Sequence, residues 1–437
     1  MKPFVTVCRS AGASARWWSV AILALTLSAG AAPRHVYLTW QGDPSRTMTV
    51  NYQTWERGEA SSVYYDVRPR GGRPEAYRYR AQGSAHQIPG LEDGRWIHWV
   101  ELTGLKPGRT YYFIAGDPRN GFSAERQFRT VPSGRAPLRF IVGGDMGVGA
   151  NVPKLLQHAA RLAPDFCVVG GDLAYANGML TNYPRWDAWL DHWQTNMITP
   201  SGLTIPMVLA IGNHEIRRGA TNLSPTNAPF FFGYFAQDRH RSYRSLTFGR
   251  NLVVLILDSG HAAAHDGPQA AWLEDQLARH RHVPYRMAVY HVPLYPSHRA
   301  YDGAGSVKGR DVWLPLFDRY RLTTAFEHHD HTFKRTHLLR HNQPDPQGTL
   351  YLGDGCLGMP ARSVEPQLRW YLVKAASLEH FWCVDINRRG VEYRAYDLDG
   401  RVFDVYPPTA RGAAEAEAYY QTLPLGKRSV PPTAAAN

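Results

Sequence analysis

The sequence predicts an all-β sandwich followed by a layered α/β domain. Three observations carry the prediction. Residues 33–131 run in short alternating apolar and polar stretches broken by Gly, Pro and Asp, the period of half-buried antiparallel strands. From about residue 137 to 406, apolar runs of strand length alternate with segments of helical period, the pattern of a sheet covered by helices. The chain has 437 residues, more than one ordinary domain needs.

Residues 1–31 read as a secretory signal peptide. Lys2, Arg9 and Arg16 make a basic start, Trp17 to Leu27 is apolar, and Ala29-Gly30-Ala31 offers a small-residue cleavage site. The apolar run is short for a membrane anchor, so the expectation is a secreted or periplasmic protein with no membrane span after cleavage. No cysteine follows the cleavage site, against a lipoprotein. Cys8 leaves with the signal. Cys167 sits in an apolar strand and reads as core. Cys356 and Cys383 could pair in an oxidising compartment, which spacing alone does not decide. The formal net charge of +12 falls to 12 − 3 = +9 without the three basic signal residues. That suits an anionic substrate. No basic run interleaved with aromatics appears, so no nucleic-acid partner is expected.

Seven runs make the β module: HVYLTW, TMTVNYQT, SSVYYDV, YRYRAQ, WIHWVELTGL, RTYYFIAG and AERQFRT. Their spacing is that of a sandwich. GLKPGRTYYF resembles the fibronectin type III signature, a turn before a Tyr-rich strand, and a positioning role is expected. Val131-Pro132-Ser133-Gly134 is the linker.

Five strands of the second domain then end on polar residues. Arg139–Val142 ends at Gly144-Asp145. After a helix over 152–162, Phe166–Val169 runs into VVGGDLAY, leaving Asp172 and Tyr175 past two turn-forming glycines. Pro206–Ile211 ends at Gly212-Asn213-His214-Glu215. Asn251–Leu257 is a strand and Pro268–His280 a helix. Arg286–Tyr290 ends at His291. After a helix over 312–320, Thr323–Phe326 ends at His328-His329-Asp330-His331. Leu350–Gly353 and a hairpin within 381–396 complete the sheets. The Ala/Pro-rich tail, 407–437, is expected to be mobile.

Parallel strands present ligands at their C-terminal ends. Here those ends carry two carboxylates, a phenol, a carboxamide and several imidazoles. One His at a strand end is usually a satisfied polar residue; five such ends together point to transition metals held by N and O donors. The absence of cysteine argues against a structural zinc site. There are about twice the ligands one ion needs, which predicts two ions sharing a carboxylate at about 3.5–4 Å separation.

The motif order GDMG, GDLAY, GNHE, YH, HHDH resembles the calcineurin-like metallophosphoesterases, and Tyr175 with the fibronectin-like module narrows the resemblance to the purple acid phosphatases. It covers the chain from HVYLTW to about Tyr406. The resemblance implies a four-layer β-sandwich flanked by helices over 137–406, behind a fibronectin-like domain over 33–131. It implies a ferric ion on Asp145, Asp172, Tyr175 and His331. A divalent iron, zinc or manganese would take Asp172, Asn213, His291 and His329, with Asp172 bridging. His214 would meet the phosphate and protonate the leaving alcohol, and Glu215 would orient the GNHE loop from behind. The implied activity is acid hydrolysis of a small phosphate monoester by metal-bound hydroxide. Alternatives are a phosphodiesterase or nucleotide pyrophosphatase on the same site, or a catalytically dead binding protein.

Three departures stand out. His328 occupies the family's Gly of Gly-His-x-His, a difficulty if that turn needs φ > 0. Ala288 replaces a common Val. The loop after His291 offers one histidine, His298, as a substrate contact where plant enzymes carry two adjacent ones. His261 and His265 read as rim residues.

Overall fold

The computed structural model describes residues 32–432 apart from 221, 238–240 and 354. The signal-peptide reading of residues 1–31 and the last five tail residues lie outside the described residues.

Nine strands build the N-terminal module: β1 (Arg34–Thr39), β2 (Met48–Thr54), β3 (Ser62–Asp66), β4 (Tyr79–Gln82), β5 (Ser84–His86), β6 (Trp96–Leu102), β7 (Thr110–Asp117), β8 (Gly121–Phe122) and β9 (Arg126–Arg129). The seven expected runs are all strands. β5 and β8 are additions too short to show a period. One sheet has the order β1-β2-β6-β5; the other has β4-β3-β7-β8, with β9 on β7. Val50, Tyr52, Val63, Val100, Phe113 and Phe128 fill the space between them.

The next part of the chain lays down two further sheets. The first contains β10 (Leu138–Gly143), β11 (Phe166–Gly170) and β12 (Met207–Ala210), joined through α1 (Val152–Arg161) and α2 (Tyr183–Asn196). The second is laid down by β13 (Arg244–Phe248), β14 (Leu252–Ile256), β15 (Tyr285–Val289), β16 (Thr324–Phe326), β17 (Phe333–Arg340), β18 (Gln343–Pro344), β19 (Thr349–Gly353) and β20 (Leu372–Ala376). Between these run α3 (Pro229–Tyr234), α4 (Pro268–Arg279), α5 (Ala304–Val312) and α6 (Leu314–Tyr320). The chain then returns to the first sheet as β21 (His380–Asn387), β22 (Gly390–Asp397) and β23 (Val402–Tyr406), and ends in α7 (Ala413–Thr422). The first sheet has the order β12-β11-β10-β21-β22-β23; the second runs β13-β14-β15-β16-β19-β17-β18, with β20 on β17.

Side-chain alternation explains the layering. On β10 and β11, Phe140, Val142, Phe166 and Val168 face one way and meet Val254, Ile256, Met287 and Val289 from the second sheet. Ile141, Cys167 and Val169 face the other way, against Val152, Leu155, Leu156 and Ala159 of α1 and Trp186, Trp189 and Trp193 of α2. The outer face of the second sheet, Val253, Leu255, Ala288 and Ala325, is covered by Leu273 and Leu277 of α4 and Leu314 and Phe317 of α6. The layers are helices, sheet, sheet, helices, as expected. Both α2 and α4 bury residues at helical spacing, which orients them. Ala288 lies in this well-filled outer layer.

The β module shares its core with the layered sheets. Trp40 makes edge contacts with Phe166 and Phe248 at 6.2 and 5.7 Å. Tyr37 Oη donates to the Tyr234 carbonyl at 2.6 Å, and Arg95 pairs with Asp187 of α2. Such a shared core fixes the module rigidly against the sheet that carries β11.

The helix expected over 312–320 is α6, and a further helix, α5, ends just before it at Val312. One expectation needs correction. The tail is not mobile over 413–432: α7 buries Ala416 and Tyr420, spaced one turn apart. Tyr420 Oη donates to the Ala375 carbonyl at 3.0 Å, and Lys374 lies over its ring at 4.5 Å. The pairing that spacing left open is not formed: Cys356 and Cys383 are both free and buried, as is Cys167, which reads as core as expected.

Candidate metal centre

All five polar strand ends converge on the C-terminal edges of β10, β11, β12, β15 and β16. Within each sheet these strands are parallel, so their loops emerge on one side. The β10 and β11 loops are zipped together: the N–H groups of Asp145, Met146 and Gly147 donate to the carbonyls of Gly171, Asp172 and Leu173 at 2.8–3.1 Å.

The backbone is bent sharply to aim these side chains. Asp145, Asp172, Tyr175, His329 and His331 all have positive φ, between 53° and 76°. L-residues adopt that region at a cost of about 1–3 kcal/mol each. Close approach of the loops supports it: a Cβ on Gly212 would lie 2.3 Å from Asp172 Oδ1, so only glycine fits there.

Two clusters of donors result. Asp172, His291 and His329 present ligand atoms within 4.8 Å of one another, as do Asp145, Asp172 and His331. Asp172 belongs to both. In the first cluster, His291 Nε2 lies 3.2 Å from Asp172 Oδ2, 3.2 Å from Asn213 Oδ1 and 3.1 Å from His329 Nδ1. In the second, His331 Nε2 lies 2.9 Å from Asp145 Oδ1 and 2.9 Å from Tyr175 Oη. Tyr175 Oη also donates to Asp145 Oδ1 at 3.1 Å. Burial, reinforced by Asp145 and Asp172, pushes the Tyr175 phenol far up. Burial pushes His329 far down, toward the neutral imidazole that ligates a metal. Buried N and O donors crowded this closely, with one shared carboxylate, fit two cations.

His214 and Glu215 lie beside the clusters. The His214 N–H donates to Asp172 Oδ1 at 2.8 Å, and its ring lies against the Tyr175 ring at 4.1 Å. Its Nδ1 bonds the side-chain oxygen of Asn177, leaving Nε2 on the metal side, 3.8 Å from Asp172 Oδ2. Glu215 is buried. Its Oε2 accepts the N–H groups of Asp172 and Gly212 at 2.8 and 2.9 Å, and Oε1 accepts that of Leu173 at 2.8 Å. Burial, with the Asp172 charge, pushes this carboxyl up to about 8.

The strained residue of HHDH is not His328. Positive φ falls on the two flanking donors, His329 and His331. The His328 ring instead fills the space above two strand-end glycines: a Cβ on Gly144 or Gly170 would lie 2.6 or 1.8 Å from it. Burial pushes His328 down to about 3. His298 is not drawn into the donor clusters; its Nδ1 lies 2.8 Å from the Ser363 carbonyl oxygen. His261 is at the rim, with its ring 5.6 Å from that of His291. His265 is not: it is buried against Trp313 at 4.6 Å.

Several supports were not read from sequence. Asp330 Oδ2 accepts the N–H groups of Ser297 and His298, both at 2.8 Å, and Oδ1 pairs with Arg299. Glu327 and Lys334, both fully buried, form an ion pair across the base of the histidine loop. Removing one partner of such a pair costs about 3–5 kcal/mol. Asp330 within HHDH was the one visible signal.

Comparison with known proteins decides the family. Residues 33–130 match the model of the purple acid phosphatase N-terminal domain, and residues 138–333 match that of the calcineurin-like phosphoesterases. The chain belongs to the calcineurin-like phosphoesterases, in their purple acid phosphatase branch. This is a family of phosphoric ester hydrolases, and its purple acid phosphatase fold carries a binuclear metal centre. The chain is 31% identical to purple acid phosphatase 15 of Arabidopsis thaliana over 59% of its own length, and it spans only 53% of that relative. It is 28% identical to purple acid phosphatase 21 of the same plant, over 77% of its length and 74% of the relative. Among solved structures, a purple acid phosphatase from yellow lupin seeds superposes with a TM-score of 0.73 at 20% identity, covering 93% of this chain and 78% of that one. PhoD superposes at 0.62 with 10% identity, covering 88% and 95%. These two likenesses support the fold. No helix among the described residues is long and apolar enough to cross a membrane.

Proposed function

We propose that the chain is an exported acid phosphatase that cleaves small phosphate monoesters to phosphate and an alcohol. The observation that carries the reading is the sharing of Asp172 between two buried donor clusters. Asp145, Asp172, Tyr175 and His331 would hold a ferric ion. Asp172, Asn213, His291 and His329 would hold a divalent iron, zinc or manganese. Such ions neutralise phosphoryl charge and make water acidic enough to attack at working pH.

The chain's own groups do the rest. Asp172, with two oxygens, can serve both ions. Glu215 sets the direction of Asp172 through three backbone N–H groups. His214 keeps its Nδ1 occupied by Asn177, so Nε2 is free to carry the proton that the leaving alcohol oxygen takes up. His298, on the loop after His291, would contact the substrate through Nε2, its Nδ1 being bonded to the Ser363 carbonyl oxygen. We assign residues 33–131 to positioning and 137–406 to catalysis.

Elemental analysis combined with turnover on a panel of phosphoesters tests this reading. Two metals per chain and faster cleavage of monoesters than of matched diesters are expected. Preference for the diester would move the chain to the phosphodiesterases. Two metals with no turnover of any ester would make it a binding protein.

A further inference from the structure

A basic cleft adjoins the metal centre. Past Glu215 the chain continues Ile216-Arg217-Arg218-Gly219 along this cleft, which encloses about 280 Å³. Its lining includes Asn213, Arg217, Arg218, Asn222 and His261. Asn213 belongs to the donor cluster, so the cleft opens onto the metal centre. Among the described residues no carboxylate lines it, and neither arginine pairs with one.

The arginines are built in at their base. Arg217 donates its backbone N–H to the Asn227 carbonyl at 2.7 Å and its Nη2 to Asn227 Oδ1 at 3.3 Å. Asn227 is buried and is itself fixed, donating to the Asn222 carbonyl and Oδ1 at 2.9 and 3.1 Å. The Arg218 N–H donates to the carbonyl of Asn177, the residue whose side chain holds His214, at 3.2 Å. A Cβ on Gly178 would lie 2.2 Å from the Arg217 nitrogen, so the two loops pack backbone to backbone. Arg217 and Arg218 therefore follow His214, the proposed donor to the leaving alcohol, by three and four residues on one segment tied through its backbone to Asn227 and Asn177. Guanidinium favours carboxylate and phosphate over neutral oxygens, and among the described residues nothing acidic neutralises it.

Building on the phosphatase reading of the metal centre, we propose that this cleft receives the alcohol part of the substrate and selects alcohols bearing a second anionic group, a carboxylate or a further phosphate.

The test compares metal-replete full-length protein with the double variant Arg217→Gln/Arg218→Gln on three esters of one three-carbon backbone. These are glycerol 1-phosphate, 3-phosphoglycerate and propane-1,3-diol bisphosphate. Their alkoxide leaving groups are similar, so differences report binding. The double variant is expected to lose about ten- to hundredfold in kcat/KM on the two esters with a second anion. It should stay within twofold on glycerol phosphate, with unchanged metal content. The larger of the two losses identifies the favoured anion. An equal loss on all three, or no loss on any, overturns the proposal. If the wild type cleaves none, the phosphatase reading fails separately, and calorimetric binding of the bisphosphate decides the cleft. Tenfold weaker binding by the variant upholds it; equal Kd overturns it.

Discussion

The buried carboxylate of Glu215 accepts the backbone N–H of Asp172 at 2.8 Å, so the residue shared by both donor clusters is held from behind. The same carboxylate takes the N–H groups of Leu173 and Gly212. In Glu215→Gln an amide NH₂ would have to face one of these N–H donors. The variant is expected to lose about ten- to hundredfold in activity or metal affinity. Metal content after dialysis, with kcat on a monoester, measures both. Wild-type values for each would show that Glu215 only packs.

Asp172→Asn should be more damaging, because a neutral amide bridges two cations poorly. Near-complete loss of activity is expected, with fewer than two metals per chain. Two metals and near-normal turnover would remove Asp172 from the bridging position.

His214→Ala is expected to keep both metals, since His214 touches Asp172 only through its backbone N–H and at 3.8 Å through its ring. Loss of a general acid costs about 10²–10⁴-fold. That penalty should shrink for leaving groups of low pKa, which need no proton. Equal penalties on nitrophenyl and alkyl phosphates would rule out the acid role.

The donors were legible because each ends an apolar run of strand length, and parallel strands bring such ends together. Asp145, Asp172 and His291 needed only that rule. What escaped depends on packing between distant loops. His328 looked like a backbone problem, yet its ring has its place over Gly144 and Gly170, residues more than 150 positions away. His298 and His265 share their residue type with the donors, but Ser363 and Trp313 claim them. The tail looked mobile because it is Ala- and Pro-rich after Pro407; Ala416 and Tyr420 of α7 are enough to dock it. Arg217 and Arg218 carry no sequence signal of their own; Asn227 and Asn177, which hold their segment, are brought to it by packing between loops.

His98 gives the β module an acid sensitivity of its own. It is buried, stacked on Tyr52 at 4.4 Å, and within 2.8 and 2.9 Å of Thr54 Oγ1 and Ser61 Oγ. Burial lowers it to about 4, against about 6.5 in the unfolded chain. Between these values the unfolded chain binds a proton that the native state does not. Its contribution is therefore fully present above pH 6.5 and is lost as pH falls toward 4, by about 3 kcal/mol. Thermal melting at pH 7 and pH 4.5 is the measurement. His98→Gln should melt lower than wild type at pH 7 but lose less on acidification. An identical drop in both proteins would place the acid sensitivity elsewhere.

Tyr175 should give the metal-replete protein a colour. Its Oη lies 2.9 Å from His331 Nε2 and 3.1 Å from Asp145 Oδ1, inside the second donor cluster. Burial beside two carboxylates keeps the phenol protonated in the metal-free protein. A trivalent cation among the same donors reverses the balance, because its charge stabilises the phenolate. A phenolate on ferric iron absorbs in the visible. Metal-replete wild type is therefore expected to be coloured and Tyr175→Phe to lose the band, with both still hydrolysing esters. If iron is present and the phenylalanine variant keeps the same band, Tyr175 is not the ligand. If the wild type is colourless and holds only zinc or manganese, the ferric assignment falls while the hydrolase reading stands.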